Sequence, residues 1–178
     1  MLYQDYLNII DEQAAEICGV ADGIWNLAET AFGEYRSSDL LSDALEKNGF
    51  TVTRGIADLP TAFRATFGSG HPAMGILAEY DALSGLSQKA ACAQCEPIQP
   101  GGNGHGCGHN LIGGGAIAAA YGIKKYLEES GKSGTVIYFG CPGEEGGSGK
   151  AFMARDGVFD ELDASFCWHP DDCNQVRT

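Results

Sequence analysis

The sequence predicts an α/β fold, a mostly parallel sheet with helices on both faces, and three observations carry that expectation. Apolar residues at helical spacing alternate along the chain with short β-like runs. The order runs helix, strands, helix, strand, helix, strand, an alternation that implies parallel strands covered by helices. The 178 residues are 44% hydrophobic and 20% charged, ordinary values for one globular domain with a substantial core.

Residues 3–27 carry Leu7, Ile10, Ala14, Ile17, Val20 and Ile24 at helical spacing, and Ser38 is the expected N-cap of a second helix that runs to about Lys47 and ends at Asn48-Gly49. Residues 50–53, 62–67 and 74–78 read as short strands, the latter two split by a Gly-Ser-Gly-His-Pro turn that should leave His71 exposed. Residues 83–106 are rich in Gly, Pro, Cys and Gln without periodicity, the pattern of a long functional loop. A helix opens near His109-Asn110 and runs to about Glu129, with Ser130-Gly131 as its stop; its Gly113-Gly114-Gly115 and Ala116–Ala120 stretch offers a small face for packing on a sheet. Residues 135–139 form a buried strand, 148–155 a short helix and 164–168 a last strand that delivers His169. Gly104-x-Gly106-x-Gly108 lacks the spacing of a dinucleotide-binding loop.

Composition narrows the function classes. A net charge of −13, from 11 basic and 24 acidic side chains, argues against a nucleic-acid or acidic-membrane partner. No apolar run approaches a membrane span, and the start Met1-Leu2-Tyr3-Gln4-Asp5 lacks a basic segment followed by an apolar one, so a cytoplasmic location is expected. Seven cysteines form an odd, scattered set, which favours reduced thiols. Cys92 and Cys95 make a Cys-x-x-Cys with no second pair or nearby His to complete a zinc site and no helix signal for a thioredoxin-like start.

Three short stretches read as parts of one metal site: Gly-His-Gly-Cys-Gly-His-Asn at 104–110, Gly-Glu-Glu-Gly-Gly at 143–147 and Trp-His-Pro at 168–170. Cys107, His109, Glu144, Glu145 and His169 together offer S, N and O donors, a mixture that suits zinc and its first-row neighbours rather than calcium or magnesium. A metal-dependent hydrolase needs one carboxylate on the metal and a second, unligated one to handle protons, and Glu144-Glu145 can supply one of each. Taken singly each piece is ordinary: a Glu-Glu pair is most often solvated, a histidine at a strand end a satisfied one, and a cysteine a small buried hydrophobe. Their placement at strand and helix ends, where α/β folds gather their sites, is what joins them.

The run Glu79-Tyr80-Asp81-Ala82-Leu83-Ser84-Gly85, then residues 104–111, 141–150 and 168–170 in that order, resembles the M20 metallopeptidases, and specifically their amidohydrolase branch, subfamily D. The likeness extends to Ala28-Glu29-Thr30-Ala31-Phe32-Gly33-Glu34 and runs the length of the chain. The resemblance implies that Cys107, His109, Glu145 and His169 are metal ligands, that Glu144 is the general base and that Asp81 orients a ligand, with His105 and Asn110 as substrate-contacting or supporting residues. It implies two divalent ions, zinc or manganese, about 3.5–4 Å apart. The expected reaction is hydrolysis of the amide of p-aminobenzoyl-glutamate, a folate breakdown product, or of a related N-acyl amino acid.

Members of the family are longer than this chain. They carry a lid and dimerisation domain inserted after roughly this point, then a C-terminal catalytic segment with a last metal-ligating His, whereas here the histidines are His71, His105, His109 and His169. Residues 1–178 are therefore expected to be the N-terminal portion of the catalytic domain, with an incomplete metal site and no activity by themselves. A second subunit or the missing C-terminal part would be the partner, besides a small amide substrate. The competing expectations are a non-catalytic metal-binding or scaffold module and, further off, a thiol redox module using Cys92 and Cys95.

Overall fold

The structure, a computed structural model, describes residues 3–176; Met1, Leu2, Arg177 and Thr178, on which the expectations for the chain's two ends partly bear, lie outside the described residues. Helices α1 (Tyr3–Glu12), α2 (Ala14–Leu27) and α3 (Tyr35–Lys47) lead to strands β1 (Thr51–Arg54), β2 (Phe63–Ser69) and β3 (Ala73–Ala78). After a loop come α4 (His109–Ser130), β4 (Gly134–Gly140), the kinked turn α5 (Glu144–Gly147), α6 (Gly149–Arg155) and β5 (Ala164–Cys167). Among the described residues no helix is long and apolar enough to cross a membrane.

Three local expectations change. The helix expected over 3–27 breaks at Gln13 (φ −99°, ψ 5°). The break lets α1 follow the C-terminal half of α4, with the Tyr6 and Tyr126 rings 5.3 Å apart, while α2 follows its N-terminal half. Ser38 is no cap: α3 begins at Tyr35, Ser38 is buried inside it, and the Glu29 carboxylate accepts the first-turn amides of Arg36 and Ser37 at 3.3 and 2.8 Å. A carboxylate from the preceding turn thus takes the place expected of a serine, satisfying free amides where the helix dipole favours negative charge. Finally, the glycines of α4 face helices as closely as the sheet. A Cβ on Gly114 would lie 3.0 Å from that of Ala21, and one on Gly113 3.2 Å from the Leu41 side chain.

The α/β class holds, with a mixed sheet in place of a mostly parallel one. The strand order is β1-β2-β4-β3-β5, in which β1/β2 and β2/β4 pair antiparallel and β4/β3 and β3/β5 pair parallel. The connection from β1 to β2 is too short for a crossover, so those strands run in opposite senses, whereas α4 carries the chain back from β3 to a parallel β4. Helices cover both faces. On β4, Val136 and Tyr138 face the core beneath α2, α3 and α4, while Ile137 and Phe139 face Met153 of α6 and the 158–162 segment. A strand buried on both faces explains its unbroken apolar run. The buried phenols are satisfied: Tyr138 donates to the Gly113 carbonyl at 3.2 Å and Tyr80 to that of Thr61 at 2.6 Å.

Candidate metal centre

Parallel register puts three chain exits at one level. Ala78 pairs with Gly140 and Leu77 with Cys167, so Glu79–Asp81, 141–145 and 168–170 leave the sheet side by side at the C-terminal ends of β3, β4 and β5, the place where open α/β sheets hold their sites. The start of α4 enters from above with Cys107 and His109. Two glycines make the approach possible: Gly108 (φ 79°) would push a Cβ to 2.8 Å from Pro170, and Gly143 (φ 63°) to 2.8 Å from the Phe32 ring. Either side chain would be strained and would also force the segments apart.

His109, fully buried, is the hub. Its Nδ1 lies 2.9 Å from Asp81 Oδ1, and the other Asp81 oxygen accepts the Glu145 amide at 2.8 Å. That pairing makes Nδ1 the donor and leaves Nε2 to face the site. Around Nε2 stand Glu79 Oε2 at 3.3 Å and Glu144 Oε2 and Glu145 Oε1 at 3.9 Å each. Burial disfavours the Asp81 carboxylate, but the bonds from His109 and the Glu145 amide outweigh it and hold its pKa below the usual value. Burial likewise opposes charge on His109, and the Asp81, Glu79 and Glu145 carboxylates reverse that, so its pKa is raised.

Cys107 and His169 form the second half. Sγ lies 3.2 Å from His169 Nε2, while Nδ1 of the same ring is 2.7 Å from the Pro170 carbonyl, which again turns the free lone pair toward the cluster. The His109 and His169 rings meet edge-on with centroids 5.7 Å apart. Burial first, and then the Glu145, Glu144 and Glu79 carboxylates, push the Cys107 thiol up to about 11.

These residues fit a divalent metal. Four carboxylates, those of Glu79, Asp81, Glu144 and Glu145, crowd one buried imidazole, and Nε2 of that ring has no hydrogen-bond partner. A neutral ring would aim its Nε2 lone pair at these carboxylates, an arrangement that is repulsive unless a proton, as in the metal-free chain, or a metal cation in its place lies between them. Ligand atoms of Cys107, His109 and His169, and separately of Glu79, His109 and Glu144, fall within 4.8 Å of one another. A bound ion would also ionise a thiol that is otherwise protonated at neutral pH.

The structure therefore brings Cys107, His109, Glu144, Glu145, His169 and Asp81 together, with His105 and Asn110 behind them on the segment that carries Cys107 and His109. His105 and Asn110, both buried, turn toward α2: His105 Nε2 is 3.1 Å from the Ile24 carbonyl, and Asn110 Nδ2 donates to that of Ala21 at 3.3 Å. Through these bonds they anchor the site loop to α2, a supporting position. His71 is exposed as expected and pairs with Asp163 at 2.6 Å. Cys92 and Cys95 lie in the 83–106 loop with free thiols and no helix at their position, so the geometry of a thioredoxin-like pair is not present there.

Sequence reasoning missed Glu79, Lys150 and Glu34. Glu79 precedes Asp81 by two residues just beyond β3, a spacing that in extended chain sends both side chains to one side and could have flagged it; both carboxylates do reach His109. Lys150, on α6, binds Glu79, and no local pattern announces that contact. Glu34 is fully buried beneath the Glu144 turn, accepting the Gly143 amide at 2.8 Å and the Thr61 hydroxyl at 3.2 Å.

Burial raises the Glu34 pKa above 4.5 in spite of its amide bonds. A raised carboxyl favours folding in its neutral form, so its contribution is complete below 4.5 and is lost as pH rises through the folded value. Urea midpoints measured across this range should shift in favour of Glu34→Gln relative to wild type as pH rises. A pH-independent difference would show that folding leaves this group's titration unchanged.

With the geometry in place, comparison with known proteins is decisive at the level of family. Residues 75–177 match Peptidase family M20/M25/M40. The chain belongs to that family. It is 53% identical over 170 residues to one of the subunits of p-aminobenzoyl-glutamate hydrolase from Escherichia coli strain K12, a match covering 96% of this chain and 35% of that protein. It is 34% identical over 173 residues to Xaa-Arg dipeptidase of Mus musculus, covering 90% of this chain and 36% of the relative. The chain thus spans about a third of the length of these relatives. A dinuclear metal-binding M20 peptidase of Bacillus subtilis shares the fold with a TM-score of 0.67 at 22% identity, over 89% of this chain and 44% of that one. The aminobenzoyl-glutamate utilization protein of Klebsiella pneumoniae does so with a TM-score of 0.64 at 18% identity, over 93% and 45%.

Proposed function

We propose that residues 1–178 are the N-terminal portion of the catalytic domain of a metal-dependent amidohydrolase acting on p-aminobenzoyl-glutamate or a related N-acyl amino acid. The observation that carries this is the meeting of Cys107, His109, Glu145 and His169 around a site that Glu144 also borders, supported by the Escherichia coli relative's name. Two divalent ions, zinc or manganese, would supply a polarised carbonyl and a water whose pKa is lowered to about 7.

The protein's own residues set up the rest. Asp81 fixes the His109 ring and, through the Glu145 amide, the turn that carries both glutamates. Glu144, whose side chain is 45% exposed at the border of the cluster, would take a proton from the attacking water and return it to the leaving amine. The proposed setting is the cytoplasm, where a thiol ligand such as Cys107 stays reduced. The 178-residue chain alone is proposed to turn over poorly, because His169 and Glu144 face open solvent and water exclusion is part of such catalysis. The proposed partners are a small amide substrate and the polypeptide, in this chain or another subunit, that closes over it.

The test replaces the matching segment of the Escherichia coli relative with residues 1–178 and measures glutamate release with added zinc or manganese. Metal-dependent release by the folded chimera, and negligible release by the isolated 178-residue chain, is expected. Equal release in the presence of a chelator would refute metal dependence, and robust turnover by the isolated chain would refute the need for a polypeptide that closes over the substrate.

A further inference from the structure

Glu79 has no role in the ligand set drawn from the motifs, yet its surroundings are those of a ligand. It directly follows β3, and its side chain is only 14% exposed. One oxygen binds the Lys150 ammonium, and the other stands 3.3 Å from His109 Nε2, the unpartnered atom of a fully buried ring. Two metal–ligand bonds of 2.0–2.1 Å at a tetrahedral angle set their ligand atoms about 3.4 Å apart. Glu144 and Glu145, at 3.9 Å from the same nitrogen, stand farther off.

We propose that Glu79 is a metal-ligating carboxylate for the ion held by His109, and that Lys150 is its positioning residue. This rests on the metal-centre reading above and adds a ligand to it. Ligating carboxylates are characteristically held by a hydrogen-bonding partner on the second oxygen, and Lys150, reaching in from the first turn of α6, supplies one. Because His109 Nε2 has a single lone pair, it serves one ion, and Glu79 is the carboxylate nearest to it. A cation beside a metal ion is unfavourable by itself, so a lysine at this place implies a compensating task, here the orientation of Glu79.

The experiment is calorimetric titration of the metal-free 178-residue chain with Mn²⁺, with thermal melts to confirm folding. Glu79→Gln is expected to weaken binding at least about tenfold. Glu79→Asp keeps the charge but withdraws the carboxylate by one methylene; it should weaken binding too, and wild-type affinity in this variant would overturn ligation in favour of a diffuse charge effect. Lys150→Met should weaken binding severalfold even though it removes a positive charge, with Lys150→Arg restoring it; tighter binding by Lys150→Met would overturn the positioning role. Wild-type affinity in Glu79→Gln alongside loss in His109→Ala overturns the inference alone. Unchanged affinity in both variants overturns the metal centre itself.

Discussion

Glu144→Ala in the chimera is expected to lower kcat about 10²–10⁴-fold, the range associated with loss of a general acid–base group. The expectation follows from how the two adjacent glutamates differ. The Glu145 amide is fixed by Asp81 and its side chain is 24% exposed, whereas that of Glu144 is 45% exposed and borders the cluster from the solvent side. Their backbones also diverge: Glu145 has non-helical angles (φ −70°, ψ 90°) within the turn, so neighbouring side chains leave in different directions. Glu145→Ala should therefore weaken Mn²⁺ binding, and Glu144→Ala should spare it while lowering turnover by that factor. Metal titration and steady-state kinetics on both variants check this. Activity in Glu144→Ala equal to that of its parent would remove this residue from the proton-transfer role, and a collapse of affinity in Glu144→Ala would make it a ligand.

His109→Ala is expected to destabilise the metal-free chain by about 3–5 kcal/mol, the cost of breaking a buried ionic pair from one side. Both side chains of the His109–Asp81 pair are fully buried, and the variant takes from the Asp81 carboxylate its one charged partner while the Glu145 amide, at 2.8 Å, stays. Much of that cost is the stranded carboxylate, so Asp81→Ala combined with His109→Ala should cost less than the sum of the two single changes. Urea denaturation of the four proteins gives the cycle. Strict additivity would mean that the pair is not coupled, and with it the orienting role of Asp81 would fall.

Much of this was legible in advance because it depends on local chemistry. Gly131 (φ 63°) ends α4 where Ser130-Gly131 predicted a stop, and β4 lies where an unbroken apolar run placed a strand. Cys107, His109, Glu144, Glu145 and His169 could be picked out because ligand atoms and proton-handling carboxylates belong to few residue types and sit beside glycines at element ends. Other features had no local signature. The Gln13 break depends on where α4 offers surface, and the start of α3 depends on a carboxylate seven residues away, Glu29. His105 and Asn110 share the site's motif but are claimed by the carbonyls of α2, which lie more than eighty residues earlier.

The α/β class, the positions of the strands and the donor residues that meet at the candidate centre are written in short segments of chain, since propensity, hydrophobic period and donor chemistry are local properties. Strand order and sense emerge from the assembled fold, because pairing depends on which connections are short and which contain a helix. The fold also sets which polar groups face one another: Glu79 with Lys150, Asp81 with both His109 and the Glu145 amide, and Glu34 beneath Gly143. These contacts join residues from 28 to 109 positions apart, and at such separations it is the packing of the sheet and its helices that brings charges together.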